Sequence, residues 1–88
     1  MNALEILKER VSEENVEVWE EVRNHIRCDP GIQDGIPTFV GTRVPVSHVL
    51  DCMGDGMTTK EILAAFPTLE PAHIPAALKF AGLLADNP

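Results

Sequence analysis

Two pairs of histidine and cysteine are the residues whose types and spacing come closest to a metal site. His25 and Cys28 are three positions apart and His48 and Cys52 four, so the second pair shares one face of any helix there. Imidazole nitrogen and thiolate sulfur are common ligands of tetrahedral zinc. Both cysteines, however, have apolar neighbours, and in such surroundings a thiol packs as a small hydrophobic group. We therefore expect two reduced cysteines and no metal site.

Side chains for catalysis are scarce in the rest of the chain. The histidines at positions 25, 48 and 73 have no spacing to serine and aspartate that predicts a catalytic triad, and no glycine-rich phosphate loop is present. A chain of 88 residues also encloses only a small pocket. We expect a protein that is not an enzyme, with no catalytic residue and no cofactor.

Charge and size point to a protein partner. The chain has 7 Lys and Arg against 14 Asp and Glu, which gives a formal charge of −7. Such a charge repels nucleic acid and anionic lipid and attracts basic surfaces. A single small domain has a thin core, which favours a homodimer. Because the sequence has neither an apolar run of membrane-spanning length nor a signal peptide, we expect a cytoplasmic protein without membrane contact.

The first 24 residues are the most acidic part of the chain. Apolar residues recur at helical spacing on both sides of a break at Ser12, which is placed to cap the second part. The apolar stripe consists of Leu4, Leu7, Val11, Val16, Trp19 and Val22. We predict an acidic N-terminal helical arm over residues 1–24 that binds a partner through Leu4, Leu7, Val11, Glu13, Glu14, Glu17, Trp19 and Glu20. The open alternative is that Trp19 packs on this chain's own core and the glutamates are merely solvated.

Turn residues and prolines dominate the start of the second segment, residues 25–88. Thr38–Val40 and Arg43–Val44 indicate a very short hairpin with Gly41 first in its two-residue loop. Pro37 and Pro45 cannot donate to a ladder, so any strands here are edge strands or stop at those residues.

Three amphipathic helices are predicted after this hairpin, over 46–53, over 58–66 and from Pro71 onward. Thr58 and Glu61 match a capping box on the second helix. Pro75 has no backbone donor and would clash with the carbonyl four residues back, so either the regular helix begins nearer Pro75 or its first turn is distorted. The predicted fold is mainly α: a homeodomain-like trihelical helix-turn-helix bundle preceded by a short β hairpin and the acidic arm.

One stretch of the sequence resembles a known family. Gly35-Ile36-Pro37-Thr38-Phe39-Val40-Gly41-Thr42-Arg43-Val44-Pro45-Val46 and the downstream Gly56-Met57-Thr58-Thr59-Lys60-Glu61-Ile62 resemble the bacterial antitoxin-type family domain of unknown function 433. The resemblance covers roughly residues 25–82 and implies the homeodomain-like trihelical fold and a PIN-like ribonuclease toxin as partner. By position, the signature loop corresponds to Gly35, Pro37, Gly41, Thr42, Arg43 and Pro45. Pro75 and the acidic arm depart from the family pattern, and no catalytic residue is implied.

Nucleic-acid binding finds little support in the charges. The third helix offers only His73 and Lys79, whereas a recognition helix sets basic and amide side chains against base edges. The candidate nucleic-acid contacts are Arg27, Arg43, Lys60 and Lys79. We expect weak DNA binding by the chain alone. For Arg43 a second role is favoured, in which its guanidinium donates to backbone carbonyls and holds the loop.

Together these observations predict an antitoxin of a type II toxin–antitoxin pair. It would bind and neutralise a basic PIN-like ribonuclease, with repression of its own operon by the complex as an added role. The alternatives are a stand-alone helix-turn-helix regulator of transcription and a non-enzymatic adaptor.

Overall fold

The computed structural model describes residues 1–86 as a mainly helical chain with one small sheet. Its elements are α1 (Ala3–Arg10), α2 (Val16–His25), β1 (Ile26–Arg27), β2 (Thr38–Phe39), α3 (Val46–Gly54), α4 (Thr59–Ala65) and α5 (His73–Asp86). Short turns lie over Glu13–Asn15 and Gln33–Gly35. The predicted mainly α class with a small β element is confirmed. Within residues 1–86 no helix is both long and apolar enough to cross a bilayer.

The predicted break in the first segment separates α1 from α2. Asn2 caps α1, since its side-chain oxygen accepts the Glu5 N–H at 2.9 Å. The prediction that Ser12 caps the second part was wrong in its detail: the Ser12 side chain makes no capping bond, and its carbonyl accepts the Asn15 N–H at 3.0 Å instead. The backbone therefore makes a short turn before α2 begins at Val16.

The first segment contributes to the same hydrophobic core as the rest of the chain. Leu7 of α1 is 2% exposed and Val22 of α2 is fully buried. They pack in one cluster with residues from later elements: Ile26, Phe39, Val46, Val49, Ile62, Leu69, Ile74, Ala77, Phe80 and Leu83. The boundary predicted between residues 24 and 25 falls inside α2. In the described chain, α2 and α5 pack against each other more extensively than any other pair of elements.

The strand pairing differs from the predicted hairpin. β2 pairs with β1 in antiparallel register, with Ile26 opposite Phe39 and Arg27 opposite Thr38. The predicted partner strand supplies the bond from the Phe39 N–H to the Val44 carbonyl, at 3.1 Å, and an isolated bridge between Thr38 and Pro45. The Val46 N–H bonds to the Pro37 carbonyl at 2.9 Å on the other side of this bridge.

The tight turn after β2 also differs in register from the prediction. The Thr42 N–H bonds to the Phe39 carbonyl at 3.0 Å, so Val40 and Gly41 are the two central residues. Gly41 is the second of these two residues, and its φ is +83°. This is the position at which a type II turn requires a positive φ, which glycine adopts without steric cost.

The last three helices agree with the prediction except at one boundary. The capping box on α4 is confirmed, because the Glu61 N–H bonds to Thr58 Oγ1 at 3.1 Å and the Thr58 N–H to Glu61 Oε1 at 3.0 Å. Of the two possibilities that the sequence left open for the third helix, the start nearer Pro75 is observed, since α5 begins at His73 rather than at Pro71. Pro75 is then the third residue of α5, where a backbone N–H has no acceptor within the helix, so its missing donor costs nothing.

Truncation of Leu7 tests whether α1 belongs to the folded unit. We expect Leu7→Ala to lower the free energy of unfolding by about 2–4 kcal/mol, because it empties space in the shared core. Ile6→Ala on the same helix is the matched control, since Ile6 is 40% exposed and should cost about 1 kcal/mol or less. Urea unfolding followed by circular dichroism measures both. Equal effects for the two variants would mean that α1 does not pack as described.

Candidate functional site

Exposed carboxylates flank an exposed valine along the first segment of the chain. Glu13, Glu14 and Glu17 are exposed on the turn before α2 and on its first residues, and Val16 between them is 48% exposed. No cation within residues 1–86 pairs with these three carboxylates. We call Glu13, Glu14, Val16 and Glu17 the acidic face. It combines free negative charge with a small apolar contact.

The other acidic side chains of α2 are already paired. Glu20 Oε2 lies 2.7 Å from the Arg23 guanidinium, and Glu21 Oε1 lies 2.8 Å from Lys79 Nζ on α5. The first pair is local to α2, whereas the second ties α2 to α5. Glu20 therefore offers a partner less free charge than the acidic face does.

The apolar members of the predicted partner-binding set lie inside the fold. Leu7 is buried, and Leu4, Val11 and Trp19 are partly buried against the core. The structure therefore separates the predicted set, with its carboxylates outward and its hydrophobic side chains inward. Trp19 packs on this chain's own core, as the alternative interpretation of the sequence predicted. Val16, which the helical spacing assigned to the same stripe, is the one apolar side chain that this segment of α2 exposes prominently.

The predicted signature loop is built around the Thr42 side chain. Its hydroxyl donates to the Phe39 carbonyl at 2.9 Å and accepts the Val44 N–H at 3.0 Å. The Thr42 carbonyl accepts a bond from the Arg27 guanidinium at 3.1 Å. Arg27 on β1 therefore does what the sequence assigned to Arg43. The prediction for Arg43 was wrong because the pairing of β1 with β2 could not be read locally.

The Arg43 guanidinium itself is exposed and makes no hydrogen bond or ion pair within residues 1–86. Its backbone is held, because Gln33 Nε2 donates to the Arg43 carbonyl at 3.3 Å. Two apolar side chains of the same loop are also exposed, Ile36 at 44% and Val40 at 39%. We call Ile36, Val40 and Arg43 the loop face.

An unusual backbone conformation presents part of the loop face. Gln33 and Asp34 have φ of +50° and +55°, and Gly35 follows at +84°. Left-handed conformations cost a residue other than glycine about 1–2 kcal/mol each. The turn is closed by the Gly35 N–H bonding to the Ile32 carbonyl and by the Ile36 N–H bonding to the Gln33 carbonyl. The rest of the fold thus maintains a strained turn directly before Ile36.

The four candidate nucleic-acid contacts lie on four separate elements of the chain. Arg27 is half-buried and bonded to Thr42, and Lys79 is paired with Glu21. Arg43 and Lys60 are exposed, the first in the loop and the second on α4. Two of the four cations are therefore engaged inside the fold.

Two histidines meet beneath the loop, a feature that the sequence did not reveal because they are far apart in the chain. The rings of His25 and His73 are 6.0 Å apart, edge to face, and Phe39 lies 5.1 Å from His73. His73 Nδ1 accepts the Glu70 N–H at 3.0 Å, so that nitrogen carries no proton. Burial lowers the pKa of His73, and nearby His25 lowers it further, while Glu70 and a hydrogen bond to the Val40 backbone act in the opposite direction.

The cysteines show no sign of an activated thiol. Both are free and half-buried. Burial raises the pKa of Cys28, although hydrogen bonds with the backbone of Leu4 and Ala3 act in the opposite direction. A raised pKa leaves less of the nucleophilic thiolate at neutral pH. In the described part of the chain, no three histidine, cysteine or carboxylate side chains cluster as metal ligands would.

A groove of about 200 Å³ lies between α1 and α5, away from the loop. It is lined by Ala3, Ile6, Leu7, Arg10 and Leu84. A substrate site usually brings several polar groups together among apolar walls, and here Arg10 is the only polar side chain in the lining. The groove does not have the chemistry of an active site.

Comparison with known proteins identifies one family. The model of the family described as "Protein of unknown function (DUF433)" matches residues 26–81. This match covers β1, the loop and the helices from α3 to most of α5. No curated protein matches the chain, and neither does any solved structure.

The histidine pair predicts a specific pH dependence of stability. Because the pKa of His73 is lower in the folded chain, its contribution is complete above the unfolded value of about 6.5 and is lost as pH falls through the folded value. We therefore expect the free energy of unfolding to fall between about pH 7 and pH 5, and His73→Asn to flatten that slope. Urea unfolding at several pH values measures it. His48→Asn is the control, since His48 is exposed. An unchanged slope in the His73 variant would contradict the prediction.

Proposed function

The chain belongs to the DUF433 family, and from this premise we propose that it is an antitoxin of a type II toxin–antitoxin pair that binds and neutralises a PIN-like ribonuclease. The single observation that carries the proposal is the acidic face, where three carboxylates without a cation among residues 1–86 flank an exposed apolar side chain along the chain. The proposed site of action is the cytoplasm.

A ribonuclease suits this surface because it must hold RNA phosphates and so presents cations in its cleft. The carboxylates of Glu13, Glu14 and Glu17 would occupy positions that phosphates otherwise take. A net charge of −7 also accelerates the encounter with a basic protein. Val16 adds a contact from which water is excluded, and such contacts strengthen neighbouring ion pairs.

The packing of α2 makes this acidic face rigid. Val22 is buried, Trp19 is partly buried, and Glu21 is paired with Lys79 of α5. A rigid surface loses little conformational entropy when it binds. The sequence predicted that Leu4, Leu7 and Val11 provide affinity for the partner. Because these side chains pack into the fold, other residues must provide that affinity.

DNA binding belongs to the proposed complex rather than to the chain alone. We propose that α3, α4 and α5 have the homeodomain-like trihelical arrangement and that the chain without its toxin is a homodimer. α5 would then be the recognition helix, yet its Lys79 is already paired with Glu21. A basic toxin would supply the missing positive charge. The stand-alone regulator therefore has less support than the antitoxin, and an adaptor without a nuclease partner remains the alternative to test against.

The test uses the nuclease-like protein encoded beside this chain's gene and an RNA cleavage assay. We expect the intact chain to suppress cleavage and E13K/E14K/E17K to be about 10–100-fold weaker, because attraction becomes repulsion. Deleting the first segment would not serve, since Leu7 and Val22 belong to the core.

The matched control reverses three exposed carboxylates elsewhere, D51K/D55K/D86K, and so changes the net charge equally. It should inhibit nearly as well as the intact chain. Equal loss in both triple variants would show that net charge acts without a defined face. A chain that leaves cleavage unaffected, or that has no nuclease neighbour, would reject the antitoxin function in favour of the adaptor.

A further inference from the structure

The acidic face and the loop face are complementary in charge and in apolar character. The acidic face offers Val16 with three free carboxylates, and the loop face offers Ile36 and Val40 with the free guanidinium of Arg43. Scattered exposed apolar residues are normal on a protein surface. Here, however, each exposed apolar group stands beside unpaired charge, and the two charges are opposite in sign.

The two faces lie at opposite ends of α2. Val16 is the first residue of the helix, and His25, the last, accepts the Val40 N–H on its carbonyl at 2.8 Å. A helix of 10 residues is about 15 Å long, so the faces cannot meet within one chain. A two-fold axis that sets two α2 helices antiparallel would bring Val16 of each chain towards Val40 of the other.

We propose that the occupant of the loop face is the acidic face of a second copy of this chain, in a two-fold dimer that makes the contact twice. Val16 packs between Ile36 and Val40, and Arg43 meets the carboxylates around Val16. Such self-complementarity is typical of isologous interfaces. The patches are small, so the dimer is weak and depends on concentration.

Arg43 is suited to this role by what surrounds it. Other cations near α2 are engaged, since Arg23 is paired with Glu20 and Lys79 with Glu21. Gln33 holds the Arg43 backbone, so less freedom is lost when the guanidinium binds. The loop also carries the exposed carboxylate of Asp34, which repels the acidic face and contributes to the weakness of the dimer.

A dimer of this kind would cover the acidic face. If the proposed function is correct, self-association and toxin binding then exclude each other. Dissociation of the dimer exposes the acidic face and so allows the antitoxin to bind the toxin. Only this consequence rests on the proposed function. The dimer itself is tested on the purified chain without any toxin, so the two proposals can fail independently.

The test exchanges charges between the two faces. Arg43→Glu sets like charges against the acidic face, and E13K/E14K/E17K sets like charges against Arg43. Sedimentation equilibrium at low salt, over about 5–500 μM, should show a dimer for the intact chain and monomers for each variant, with the dissociation constant of the dimer raised at least tenfold. An equimolar mixture of the two variants restores both contacts in complementary form and should give a heterodimer.

Lys60→Glu is the control for Arg43→Glu, since both replace an exposed cation by a carboxylate. It should remain dimeric. Rescue in the mixture also shows that both variants are folded, and circular dichroism confirms this separately. An intact chain that is monomeric throughout, variants that stay dimeric alone, a mixture that stays monomeric, or assemblies larger than a dimer would each overturn the proposal.

Discussion

The packing of α2 against α5 is the interaction on which the rest of the structure depends. It brings Val22 and Phe80 into the shared core, places His25 against His73, and carries the ion pair between Glu21 and Lys79. Because β1 follows α2 directly, the same packing also fixes where the short sheet forms and where Arg27 reaches the loop. A thin core in a small chain thus gains stability from a segment that composition alone would assign to the surface.

This packing decides which charges are available for binding. Glu20 and Glu21 are paired within the fold, whereas Glu13, Glu14 and Glu17 at the start of α2 have no cation of their own in the part of the chain that the structure describes. In the same way Lys79 is engaged while Arg43 is free. In a protein of net charge −7, binding through charge therefore depends on the few charged side chains that the fold leaves unpaired.

Features set by neighbouring residues could be predicted from the sequence, and features set by distant ones could not. The capping box of Thr58 and Glu61 spans three positions, so its residues identify it directly. The orientation of the apolar stripe depends on α5, which lies some fifty residues away from α2 along the chain. The same distance hid the meeting of His25 with His73. The roles of Arg27 and Arg43 were exchanged for this reason too, since only the strand register distinguishes them.

The hydroxyl of Thr42 limits what evolution can place in the loop. One oxygen atom serves as donor to Phe39 and as acceptor for Val44, and the residue is almost fully buried. Valine has nearly the same volume but would leave the Val44 N–H without its acceptor and the Phe39 carbonyl with only the Thr42 N–H, while serine retains the oxygen and loses only a methyl group. Few residue types can therefore occupy this position. The restriction comes from the architecture of the turn and does not depend on any binding partner.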